Sequence, residues 1–315
     1  MSDTTVDQAP VKLTDADARS APTWRAAYSD RTSWLMAVFS QLAYVPFVDD
    51  QPHPGAGLPK LLRGDGFAAL DPYLTPGGFE VRATFNAGDV QTFLAVNPEQ
   101  LAVLSFRGTA NWGDWKINLN AGRVPMPGRE AVGIHRGFWD AFKDSADKIR
   151  LAVDKEVPND LGLYITGHSL GGALAQIASV VLERDNLAAC YTYGSPRVAT
   201  AAFDTCVKCP HYRVVNHWDL VPGVPLPTLW WGYRHTGDPR LLTGKAPIAA
   251  LRRDQNIVLR FLVDLYSAAR WVATHDFSAV NDHMIWNYRD LLMGIEEARA
   301  RPLEARPQAR PQPGR

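Results

Sequence analysis

Apolar residues first recur at helical spacing from Ser33 onward. Trp34, Leu35, Val38, Phe39, Leu42 and Ala43 mark one face, and Pro46 ends the run. Residues 49–66 are rich in Pro and Gly and read as loop. Strand-like runs follow at 78–83, 90–96 and 101–106. The turn-forming Asn97-Pro98-Glu99-Gln100 joins the last two as a hairpin. Ile134-His135-Arg136-Gly137-Phe138 opens a helix expected to reach about Leu151. The apolar run 161–165 predicts a short buried strand, and the alanine-rich stretch to about Val181 a helix. Further strands are expected at 190–198, broken by Gly194, and at 212–215. Proline and tryptophan then dominate as far as Tyr233. Strands alternating with helices predict an α/β fold whose sheet is largely parallel after its first hairpin.

The remaining pattern concerns the two ends. Between 246 and 274, Arg253, Asn256, Arg260, Asp264, Ser267 and Arg270 keep a spacing of three or four. Phe261, Leu262, Leu265, Tyr266 and Trp271 fill the positions between them. This predicts a long helix whose broad apolar face packs on the domain, with a lipid surface as the alternative. A final helix is expected after Asp282-His283-Met284-Ile285-Trp286, to about Ala300. Residues 1 to about 22 carry Asp, Thr, Ser and Pro without periodicity, and the tail from Arg301 repeats Arg-Pro and Gln-Pro. The expected organisation is a disordered segment 1–25, a single domain 26–300 and a disordered tail 301–315. No internal repeat is visible.

With 315 residues and 46% hydrophobic content the chain can bury a full core. Lys+Arg and Asp+Glu balance at 33 each, so no net field draws nucleic acid or an acidic membrane. Residues 1–22 lack the apolar core of a Sec signal, and no stretch of about 18 uncharged apolar residues reads as a membrane span. The expectation is therefore a cytoplasmic protein without a transmembrane segment. Three cysteines do not suggest a disulfide framework. Cys206-x-x-Cys209-x-His211, with His217 beyond, is too tightly spaced for the usual zinc finger, and the C-x-x-C lacks a thioredoxin-like context. Reduced thiols without a metal are expected.

Chemistry enters at Gly167-His168-Ser169-Leu170-Gly171-Gly172, where the buried strand meets the helix. Gly-x-Ser-x-Gly in that context is the signature of a nucleophile elbow. A serine on a sharp strand-to-helix turn leaves no room for side chains two positions to either side. The turn also aims its oxygen at the positive end of the helix. Such a serine needs a histidine base and a carboxylate that fixes the imidazole, in the chain order Ser, Asp, His. Asp219 is the only acid just after the 212–215 strand. His211 and His217 precede it, which leaves His235, His275 and His283 unranked by spacing.

Several separate segments, in order, resemble the class 3 lipases, the fungal triacylglycerol lipase type of α/β-hydrolase. They are Ser40-Gln41-Leu42-Ala43-Tyr44, then Phe106-Arg107-Gly108-Thr109 with Asp114-Trp115, His135-x-Gly137-Phe138 and the elbow itself. Tyr193-Gly194-Ser195-Pro196-Arg197-Val198, Asn216-x-x-Asp219-x-Val221-Pro222, Tyr233-x-His235-x-Gly237 and Asp282-His283 complete the series. The resemblance implies an α/β-hydrolase fold with a short lid at about 110–121. It further implies Ser169 as nucleophile, Asp219 as orienting acid, His283 as base, and a structural role for His235. The oxyanion hole would come from the backbone N–H of Leu170 with the N–H and hydroxyl of Thr109. No cofactor or metal is called for. The implied activity is cleavage of carboxylic esters through an acyl-enzyme, on acylglycerols, with transient contact to a lipid interface. Shorter soluble esters, acyl transfer to an alcohol, and a non-catalytic binding module are the alternatives. The lid segment holds Trp112, Trp115, Ile117 and Leu119 among polar residues, and Trp230 and Trp231 add an apolar wall near Asp219.

Overall fold

A computed structural model describes residues 9–45, 68–87, 90–108, 122–217, 219, 221–225, 232–243, 250–252 and 282–300. Its helices are α1 (Asp15–Arg19), α2 (Asp30–Leu42), α3 (Asp71–Leu74), α4 (Arg136–Glu156), α5 (Leu170–Val181) and α6 (Ile285–Ala300). The strands are β1 (Glu80–Ala87), β2 (Val90–Asn97), β3 (Leu101–Phe106), β4 (Arg123–Met126), β5 (Arg129–His135) and β6 (Leu163–His168). They continue with β7 (Leu187–Tyr193), β8 (Ala199–Thr200), β9 (His211–Asn216), β10 (Tyr233–Arg234), β11 (Asp238–Thr243) and β12 (Ala250–Arg252).

The main sheet runs β1-β2-β3-β6-β7-β9-β11-β12. The first two pairings are antiparallel, the second of them the hairpin that the 97–100 turn predicts. From β3 to β11 every pairing is parallel, and β12 turns back antiparallel. Parallel strands are covered on both faces and therefore read as continuous apolar runs. In β3, Leu101 and Val103 point to one face while Ala102, Leu104 and Phe106 point to the other, and all are buried. The first face carries α2 and α6, with Trp34, Phe39, Tyr193, Tyr288 and Leu292 in one cluster. The second carries α4 and α5, with Phe138, Phe142, Ile149, Leu174 and Ile177 in another. The register sets Phe106 beside Gly167, His168 beside Tyr193, and Tyr193 beside Val214. The carboxyl ends of four strands thus share one edge, where ligands of open α/β sheets bind.

Some elements differ from the sequence expectation. Residues 134 and 135 end β5 rather than open a helix, and the helix begins at Arg136. The strand β5 belongs to a small antiparallel sheet, β10-β8-β5-β4, which the pattern does not reveal. Residues 250–252, placed in the long helix, form β12 against β11; the rest of that helix lies outside the described residues, as does the tail 301–315. Residues 9–22, expected to be disordered, are packed instead. Thr14 and Asp17 form a capping box on α1. Leu13, Ala18 and Ala21 are buried, and Tyr164 donates to the Pro22 carbonyl at 2.6 Å. Arg289 on α6 ties this segment down. Its guanidinium, itself buried, donates to the Ala9 carbonyl at 2.7 Å and to Gln41 Oε1 at 2.8 Å.

Candidate active site

Ser169 stands between β6 and α5 at φ 59°, ψ −128°. A non-glycine residue at positive φ is uncommon and is held only where its surroundings over-determine it. Here the Ser169 amide donates to the Tyr193 carbonyl at 2.9 Å. The flanking glycines are sterically enforced. A Cβ at Gly167 would lie 2.2 Å from the Gly171 carbonyl oxygen, and one at Gly171 would lie 2.2 Å from that of Phe106. Leu170 opens α5, so its amide is among those with no intrahelical acceptor and lies at the positive end of the helix. Phe106-Arg107-Gly108 runs beside this turn; Thr109, the lid segment and both Trp230 and Trp231 lie outside the described residues.

Asp219 and His283 meet at the same edge. His283 Nδ1 is 2.7 Å from Asp219 Oδ2, with relative exposures of 1% and 2%, so the pair is shielded from water. A carboxylate accepts, so Nδ1 carries the proton and Nε2 is the basic nitrogen of the neutral ring. The same Oδ2 accepts from the Tyr288 hydroxyl at 2.5 Å, and Oδ1 accepts from the Val221 amide at 2.8 Å. The Asn216 amide donates to Tyr288 Oη at 3.0 Å, and Asn216 Nδ2 to the Asp282 carbonyl at 2.8 Å. Gly194, at φ 57°, gives the pair its room: a Cβ there would come 2.5 Å from Asp219 Oδ2. Ser169 is tied to this edge by its amide hydrogen bond to the Tyr193 carbonyl, and the residue before it, His168, lies against His283.

Of the three histidines that spacing leaves open, His283 is the one on Asp219. His235 Nε2 donates to the Pro222 carbonyl at 2.8 Å and so supports the turn after Asp219; His275 lies outside the described residues. Arg197 supports the same turn, its guanidinium reaching the carbonyls of Gly223 and, at 2.9 Å, Pro225. Tyr288 and Arg197 are the residues that sequence reasoning left without a role. The aromatics after His283 and the Ser-Pro-Arg run were the available signals. His211 packs between Thr192 and Thr236 hydroxyls, at 3.2 and 3.4 Å, and burial lowers its pKa to about 3. Burial also pushes the Cys209 thiol up to about 11. Among the described residues, no group of three His, Cys, Asp or Glu side chains is placed to hold a metal ion.

Residues 103–229 match the family model for Lipase (class 3). The chain is 38% identical over 154 residues to secreted mono- and diacylglycerol lipase 1 of Fusarium solani, a match covering 47% of this chain and 46% of that protein. It is 30% identical over 161 residues to a lipase of Rhizomucor miehei, covering 47% and 44%. The chain thus spans less than half the length of these curated relatives. The native Rhizomucor miehei lipase propeptide complex shares the fold at a TM-score of 0.57 and 22% identity, over 79% of this chain and 86% of that one. One expectation is corrected by these matches. A cytoplasmic default conflicts with a relative named as secreted, and the polar composition of residues 1–22 does not carry it. No helix among the described residues is long and apolar enough to cross a membrane.

Proposed function

We propose, from the match of residues 103–229 to the class 3 lipase family, that the chain is a serine hydrolase of carboxylic esters acting on acylglycerols. Ser169 is the nucleophile, His283 the base and Asp219 the acid that orients it. The observation that carries this reading is the buried Asp219–His283 pair beside a serine held at positive φ on a helix N-terminus. His283 Nε2 takes the Ser169 proton as the hydroxyl attacks the ester carbonyl, and Asp219 stabilises the imidazolium. The Leu170 amide, with the amide and hydroxyl of Thr109, receives the oxyanion. One such donor is worth about 3–4 kcal/mol in comparable enzymes because it faces charge absent from the ground state. His283 then protonates the departing alcohol, and water activated by the same nitrogen hydrolyses the acyl-enzyme.

Acylglycerols are chosen because the relative from Fusarium solani is named for them, and the apolar content of the lid segment suits a lipid interface. Ser169→Ala is expected to lower p-nitrophenyl ester hydrolysis by roughly a thousandfold or more. Equal rates in the two proteins would sink the assignment. An acyl-chain series across the solubility limit tests the substrate class. A rate jump at the interface is expected, whereas a smooth profile favouring short chains would make the enzyme an esterase.

A further inference from the structure

The elbow carries a second side chain that this cycle leaves unused. His168 is buried, and both its ring nitrogens are engaged. Nδ1 lies 2.7 Å from the Tyr44 hydroxyl, and Nε2 lies 2.6 Å from the backbone carbonyl of His283. A carbonyl only accepts, so Nε2 carries the proton and Nδ1 accepts from Tyr44. Burial, and then the neighbouring His283, holds His168 well below the usual histidine range, so the ring stays neutral and this tautomer persists. Burial pushes the Tyr44 phenol up. Gly108 lies so close that a Cβ there would come 2.4 Å from Tyr44 Oη and 3.0 Å from Ser169 Cβ.

The four groups come from four elements. Tyr44 follows α2, Gly108 follows β3, His168 ends β6, and His283 precedes α6. We propose that Tyr44 and His168 are positioning residues that hold the base in register with the serine and with the oxyanion strand. Hydrogen bonds run in one direction, from Tyr44 to His168 and from His168 to the His283 carbonyl, with Gly108 packed against the Tyr44 hydroxyl. Asp219 fixes the His283 ring at Nδ1, and the bond from His168 fixes the backbone from which that ring projects. The His168 and His283 ring centroids, 4.4 Å apart, add a wall on one side. The inference rests on Ser169 and His283 being nucleophile and base.

The test uses the full chain, with kcat, KM, thermal unfolding and fluorophosphonate labelling measured together. Tyr44→Phe removes one oxygen and keeps the ring. His168→Leu removes both ring nitrogens, whereas His168→Gln retains a side-chain N–H for the His283 carbonyl. Tyr44→Phe and His168→Leu are expected to lower kcat roughly 10- to 100-fold, the scale of a small misplacement of a reacting group. KM should stay within about twofold, since substrate binding is untouched. The double variant should be no slower than His168→Leu alone, because the two residues act in one series. His168→Gln should recover most of the rate. An unchanged kcat in folded Tyr44→Phe, or a change confined to KM, overturns the proposal, and Tyr44→Phe decides alone if His168→Leu does not fold. A wild-type chain that neither labels nor cleaves esters overturns the ester-hydrolase reading and this one with it. A labelled wild type with unaltered variants overturns only the positioning series.

Discussion

Two donors converge on a single oxygen of Asp219, the ring of His283 and the hydroxyl of Tyr288. Each bond draws negative charge toward its own side, so the tyrosine lessens what the carboxylate offers the imidazolium. Tyr288 also fixes the orientation of Asp219, so Tyr288→Phe is expected to lower kcat of ester hydrolysis by about tenfold or less. An unchanged kcat in the folded variant would reduce Tyr288 to packing. Ser169 and Asp219 are reached from residue type and chain order, whereas His283 is picked from His235, His275 and His283 only by the family resemblance, and the structure sets it against Asp219. Tyr288 and Tyr44 are not legible, because a tyrosine has the same appearance in any core. What sets these two apart is a hydroxyl aimed at a partner 69 or 124 positions away.

At the level of elements, the turn that presents Asp219 is held from outside. The Arg197 amide donates to Val224 at 2.8 Å, and its buried guanidinium bonds the carbonyls of Gly223 and Pro225. Arg197→Ala removes those donors from buried acceptors and is expected to cost roughly 2–3 kcal/mol in urea unfolding. Ester hydrolysis should fall with it. Arg197→Lys should recover only part, since an ammonium lacks the planar fork. Wild-type stability in Arg197→Ala would contradict this account of the turn. Elements with long apolar runs, such as β3, β6 and α5, follow the sequence pattern closely. The strand β11 escapes it because Pro239 argues against a strand interior, yet it pairs with β9 in parallel register. The strand β5 is hidden because its last residues abut the amphipathic pattern of α4 without a break.

Across the whole molecule, buried neutral histidines set the response to acid. His211 has a folded pKa of about 3, and His168 is also held low. Below about pH 6.5 the unfolded chain binds protons that these sites refuse. Stability is thus full above that pH and falls as pH is lowered, by about 1 kcal/mol per pH unit for each such group. Urea midpoints between about pH 7.5 and pH 5 should show the decline, and His211→Gln should flatten it. An unchanged slope in that variant would mean that His211 takes up its proton while folded.

The knot at Arg289 bears on which residues pack as part of the domain. Composition sets the ordered domain from residue 26, but the Arg289 guanidinium bonds the Ala9 carbonyl and Gln41 as well as its neighbour Asp290. A chain trimmed to residue 26 would strip one acceptor from a buried cation on the helix that follows His283. The segment 9–22 is thus a tether for α6, its bond from Arg289 to Ala9 spanning 280 positions of the chain.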